Sequence, residues 1–109
     1  MITESEEKQI AKIENFIIAD VYTNDRVSIK TLRHDLSGFR SPRNPDGDQK
    51  ITREEIDSII FRLYRKGLVR RQRRFLWIPT NSKTLEKLNE LGLINARPIS
   101  LMKMKMEVR

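Results

Sequence analysis

The stretch IDSIIFRLYRKGLVRRQRRFLWIPT, residues 56–80, constrains the fold more than any other part of the chain. Ile56, Ile59, Ile60 and Leu63 recur at steps of three and four, which puts them on one stripe of a helix. Thr52 opens that helix with a Thr-x-x-Glu capping box to Glu55, and Lys66-Gly67 ends it. Two short runs of β-formers follow, Leu68-Val69 and Phe75 to Ile78, and Pro79 closes the second. Between them lies the charged tip Arg70-Arg71-Gln72-Arg73-Arg74. The pattern is that of a hairpin, although no glycine marks its turn. A lone two-stranded ribbon is marginal in water, so this one must lean on helices. The class expected is therefore α+β.

The rest of the chain supplies those helices. From Glu4 to about Tyr22, Ile10, Ile13, Ile17, Ile18 and Val21 form a single stripe. Arg26 to Ile29 is short and β-branched and reads as a brief strand. Lys30 to Leu36 reads as a short helix with Leu32 and Leu36 inward and Gly38 as its C-cap glycine. Residues 39–50, FRSPRNPDGDQK, form the longest loop, broken by two prolines and an Asp-Gly step. Ser82 to Leu91 is a further helix with Leu85, Leu88 and Leu91 in register and Gly92 as its stop. Near the C-terminus Met102, Met104, Met106 and Val108 alternate with charged residues, a period of two that predicts a strand. Two segments result, 1–80 and an extension over 81–109 packed on it.

Charge narrows the function. Residues 1–60 carry 9 Lys+Arg against 12 Asp+Glu, a net of −3, whereas residues 61–109 carry 13 against 3, a net of +10. Seven cations fall within residues 62–74, with no acid among them: Arg62, Arg65, Lys66, Arg70, Arg71, Arg73 and Arg74. Such crowding raises the energy of a surface unless a polyanion relieves it, and each neutralised phosphate also releases counterions. Cysteine is absent and histidine is represented by His34 alone. That removes disulfides, thiolate metal sites and cysteine nucleophiles, and nearly removes zinc. No apolar run approaches a membrane span, and the acidic start is unlike a secretory signal. The expectations are a cytoplasmic protein that is not an enzyme, with no cofactor, no metal and no small-molecule substrate.

The order helix, strand, helix, helix, strand, basic tip, strand, helix resembles the winged helix-turn-helix superfamily. Residues 56–80 look like the third helix, the L-x-x-K-G-L-V-x-R turn and the wing of small archaeal and bacterial regulators, and NSKTLEKLNELG looks like the helix that follows the wing. The resemblance covers about residues 8–92. It implies a three-helix core with a two-stranded wing, a C-terminal helix and a short C-terminal strand. It also implies that the third helix enters the major groove of DNA while the wing grips backbone or minor groove. Carried over by position, Ser58, Arg62, Arg65 and Lys66 belong to the helix, and Arg70, Arg71, Arg73 and Arg74 to the wing. One feature departs from the pattern: Glu54, Glu55 and Asp57 stand in the half of the helix that normally meets the bases.

Other constellations have simpler readings. Asn44 to Glu55 spaces oxygen ligands like a calcium loop, but Gln49 stands where the sharp turn needs glycine, and the capping box already accounts for Glu55. His34 has no nucleophile signature beside it and reads as a surface or packing residue. Phe75 and Trp77 read as anchors of the wing on the core rather than as stacking platforms for bases. The function expected is double-stranded DNA binding by a homodimeric transcriptional regulator, with the tail strand a candidate dimer contact. The alternative is a winged-helix interaction module whose basic face meets an acidic protein in a replication, transcription or cell-division assembly. An RNA-binding accessory role has less support, because no strand looks like the usual aromatic-rich binding strand.

Overall fold

A computed structural model describes residues 3–93. Its elements in chain order are α1 (Glu4–Thr23), β1 (Arg26–Ser28), α2 (Ile29–Leu36), α3 (Arg53–Arg65), β2 (Arg70–Gln72), β3 (Phe75–Trp77) and α4 (Ser82–Glu90). The result is a small α+β arrangement of four helices on a three-stranded antiparallel sheet of order β1-β3-β2. The predicted strand over 102–108, and with it the sequence argument for a homodimer, lies outside the described residues.

Local chemistry sets the element boundaries. Thr3 caps α1 by accepting from the Glu6 amide, and Glu4, Glu6 and Glu7 in the first turn suit the positive end of the helix dipole. Ser28 ends β1 and also caps α2, accepting from the Thr31 amide. The capping box on α3 is complete: the Thr52 side chain accepts from the Glu55 amide while the Glu55 carboxylate accepts from the Thr52 amide. Thr52→Ala is accordingly expected to lower stability by about 1 kcal/mol in urea titrations. Gly67 adopts φ +78 at the end of α3, where a side chain would be strained. Gly38 does not take that role: the second helix is capped by Ser37 in a right-handed conformation, and only Gly67 and Gly92 have positive φ among the described glycines.

The core gathers the expected stripes. Ile13, Ile17 and Val21 of α1 are fully buried with Leu32 and Leu36 of α2, Leu63 of α3, Val69 and Leu76. In α4, Leu88 is buried and Leu91 packs at the margin, but Leu85 faces water. Here Thr84 replaces the expected leucine inside: its hydroxyl donates to the Pro79 carbonyl at 2.6 Å. The 39–50 loop is held by paired backbone bonds, Ser41 N–H to the Gln49 carbonyl and Ile51 N–H to the Phe39 carbonyl, each 2.9 Å. Buried Ser41 donates to the second Glu55 oxygen at 2.7 Å. Both carboxylate oxygens of Glu55 are thus committed to structure.

The sheet differs from expectation in two ways. The brief first strand is a full member: Arg26, Val27 and Ser28 lie opposite Trp77, Leu76 and Phe75. The predicted hairpin tip is also shorter, because Arg70, Arg71 and Gln72 belong to β2, opposite Trp77, Leu76 and Phe75. Only Arg73 and Arg74 form the turn.

One acid works against the fold. Asp20, near the end of α1, is held above the ordinary carboxyl value, first by burial and then by the Asp35 carboxylate beside it, with Asn24 pulling the other way. Its Oδ2 has no donor among the described residues. A raised folded pKa means that the group supports the fold when protonated. That support is full below its ordinary value of 3.8 and is lost as pH rises through the elevated one. Asp20→Asn is therefore expected to raise the urea midpoint at pH 7, with the gain shrinking at pH 3.

Candidate nucleic-acid interface

The hairpin turn is built from Arg73, whose φ of +58 lies in the left-handed region, and Arg74. A side chain there raises the energy by roughly 1–2 kcal/mol relative to glycine, which is why such turns favour Gly or Asn. Two hydrogen bonds hold the turn in place. Arg71 donates from Nε to the Arg73 carbonyl at 2.8 Å. The Arg74 carbonyl accepts from the Ile29 amide at 2.7 Å, tying the tip to the start of α2.

Strand register distributes the four hairpin arginines. Directly opposed residues share a face. Arg71 lies opposite buried Leu76 and so takes the face toward the helices, whereas Arg70 lies opposite Trp77 and takes the outer face. Arg73 and Arg74 project from the end. All four are exposed, and none has an acidic partner among the described residues. Arg71 also lines a cleft of about 350 Å³ between the hairpin, α2 and α3, with Arg33, Asp57, Phe61 and Tyr64.

The helix residues divide differently. Arg65 is exposed, with its guanidinium 5.8 Å from the Phe61 ring centre, and Phe61 stacks on Tyr64 at 6.4 Å. Ser58 is exposed seven residues before Arg65, on the same line of α3. It borders a second cleft, of about 480 Å³, shared with Glu6, Arg43 and Glu54. Arg62 and Lys66 point elsewhere. Glu14 of α1 is only 7% exposed, and its carboxylate receives Lys66 Nζ at 3.1 Å and Arg62 Nε at 3.4 Å. Arg62 also pairs with Glu7. These two cations clasp α3 to α1 and leave the surface formed by Ser58, Arg65 and the hairpin.

The acids at the start of α3 are largely accounted for. Asp57 receives a bidentate Arg33 guanidinium, with bonds of 2.9 Å to each oxygen and a further 3.0 Å bond from Nε. Glu55 serves the cap and Ser41, leaving Glu54 exposed with no cation on it among the described residues. The aromatic residues of β3 reverse the expectation from sequence. Leu76 anchors the strand, and Phe75 and Trp77 face outward at 36% and 39% exposure. The pairing of Val27 with Leu76 fixes that parity, because it places the apolar middle residue of each strand on the core side. His34 is exposed on α2.

No protein-family model matches the chain, and neither a curated protein nor a solved structure matches it. No described helix is long and apolar enough to cross a membrane.

Replacing Arg73 by glycine tests the strain in the turn. Relief of the left-handed side chain, less the extra freedom glycine gives the unfolded chain, is expected to stabilise by about 0.5–1 kcal/mol. Thermal melts of Arg73→Gly and the parent chain check this.

Proposed function

We infer that this is a winged-helix protein that binds double-stranded DNA, with β2–β3 as its wing and α3 as the helix presented to the major groove. One observation carries the reading. Arg33, Arg62 and Lys66 are matched to acids, while Arg65, Arg70, Arg71, Arg73 and Arg74 face solvent with no acid on them among the described residues. Five such arginines on one hairpin and the adjoining helix end form a local concentration of positive charge that suits a phosphate backbone. The strained turn at Arg73 fits the same reading, since it keeps a cation where glycine would relax the chain. The match of Asp57 with Arg33 removes most of the repulsion expected at the helix start. Ser58 and Arg65 are then the helix residues facing the groove, and Arg62 and Lys66 support α3 from behind.

The test is binding of a fluorescent mixed-sequence duplex across a salt series. With three to five phosphate contacts, the log–log slope is expected to be about −3 to −4.5. A slope near zero overturns the reading. A second reading, an acidic protein partner, is favoured by the Phe61–Tyr64 stack, in which Phe61 is 58% exposed. Interfaces concentrate such aromatic residues. It predicts that Phe61→Ala abolishes partner capture while duplex affinity stays negligible throughout.

A further inference from the structure

We propose that the outer face of the β-sheet is a second nucleic-acid site, one that takes unpaired bases on Phe75 and Trp77. Register builds this face in two rows. Arg26, Trp77 and Arg70 lie side by side across the three strands, and Ser28, Phe75 and Gln72 form the row beside them. No acid stands in either row. Arg26 lies over the Phe75 ring, its guanidinium carbon 4.9 Å from the centre, so it spans from the Trp77 row to the Phe75 row. Trp77 has neither ring nor cation over it among the described residues. A hollow of about 220 Å³ lies between Arg26, Gln72, Arg73 and the two rings.

Exposed single apolar residues are ordinary on protein surfaces. Here two rings share one strand face set between arginines; Arg26 covers part of Phe75, and Trp77 keeps 39% of its surface open although Leu76 already anchors β3. Planar apolar faces beside cations match the chemistry of a base with its phosphate: the ring stacks and the guanidinium takes the charge. Arg26 adds a stacking plane of its own. Side chains two residues apart on a strand are separated by about 6.8 Å. Bases of a duplex are about 3.4 Å apart and enclosed between their neighbours. The rings therefore suit a strand whose bases are splayed and unpaired. This site does not require the duplex-binding reading, since its two rings lie on the outer face of the sheet, and it shares Arg70 and the turn arginines with that reading.

Trp77 is the sole tryptophan, so its fluorescence reports on this face alone. The intact chain is titrated with an oligothymidylate, an oligouridylate and an abasic sugar-phosphate chain of equal length. Base-bearing strands are expected to quench Trp77 and to bind about 5- to 150-fold more tightly than the abasic chain for each base stacked. Preference for one of the two oligomers identifies DNA or RNA as the source of the bases, and equal binding assigns the site to either. By anisotropy of a labelled strand, Trp77→Leu removes the base-dependent advantage and Trp77→Phe keeps most of it, with folding checked by circular dichroism. Equal affinity for abasic and base-bearing strands, or no quenching by the latter, overturns the proposal, and both are read on the unmodified chain. Duplex binding measured alongside separates the two readings. Duplex affinity without base-dependent quenching removes this site alone, and the converse removes only the duplex reading.

Discussion

Changing Arg70, Arg71, Arg73 and Arg74 together to alanine is expected to weaken duplex binding by on the order of 10³-fold at 0.1 M salt. Each phosphate contact contributes about 0.9 to the log–log salt slope, so loss of three or four contacts flattens it by roughly 3 and removes about a factor of ten per contact at that salt. The variant is expected to fold. All four side chains are exposed, and the hairpin is held by buried Val69 and Leu76 and by the pairing of β3 with β1. Within the hairpin the change breaks the Arg71 hydrogen bond to the Arg73 carbonyl and leaves the backbone pairing intact. Arg73→Gly, a change at the same tip, is expected to flatten the slope by about 0.9 while raising stability. A folded quadruple variant with unchanged affinity and slope would remove the hairpin from the interface and favour the acidic-partner reading.

The second large effect concerns stability and separates the two groups of cations. Arg62→Ala with Lys66→Ala is expected to destabilise the protein by about 3 kcal/mol, because Glu14 is then buried without a counter-charge. Both cations are partly in contact with water, which keeps the loss at the low end for a buried pair. It corresponds to a fall in Tm on the order of 15 °C for a domain of this size. Glu14→Ala is expected to do less harm. Arg62 keeps Glu7, and Lys66 can return to water, so no buried charge is left unmatched. Urea titration of the three proteins gives the order directly. Duplex affinity of the folded fraction is expected to change far less than in the hairpin variant.

The contrast between these two groups shows what can be read from the chain. The stripes of α1 and α3 are explicit, since isoleucines at steps of three and four have one apolar face to bury. The T-x-x-E cap is equally explicit. Facing is harder. In Phe75-Leu76-Trp77-Ile78 both alternations are apolar, so period two defines two faces without saying which is inward. Only the pairing of Val27 with Leu76 decides. Arg62 lies on the polar half of the α3 wheel and so reads as solvent-facing. Its partners are on another helix, and a single-helix wheel cannot show them. A signal is present nonetheless: Glu7 and Glu14 share one face of α1 and Arg62 and Lys66 one face of α3, so an acidic face and a basic face are available to meet. Buried Ser41 is illegible for a similar reason. Its partner Glu55 lies across the long loop, already claimed in the sequence by the capping box.

Duplex binding through the hairpin and α3 is tested most directly residue by residue, by amide and arginine side-chain NMR shifts recorded while a short mixed-sequence duplex is added. Large changes are expected at Arg70, Arg71, Arg73 and Arg74, with further changes at Ser58, Phe61 and Arg65 on the exposed line of α3. Small ones are expected at Glu7, Glu14, Arg62 and Lys66, where the clasp between α1 and α3 stays closed. Shifts confined to other surfaces, or a hairpin whose arginine signals do not move at saturation, would contradict this mode of binding.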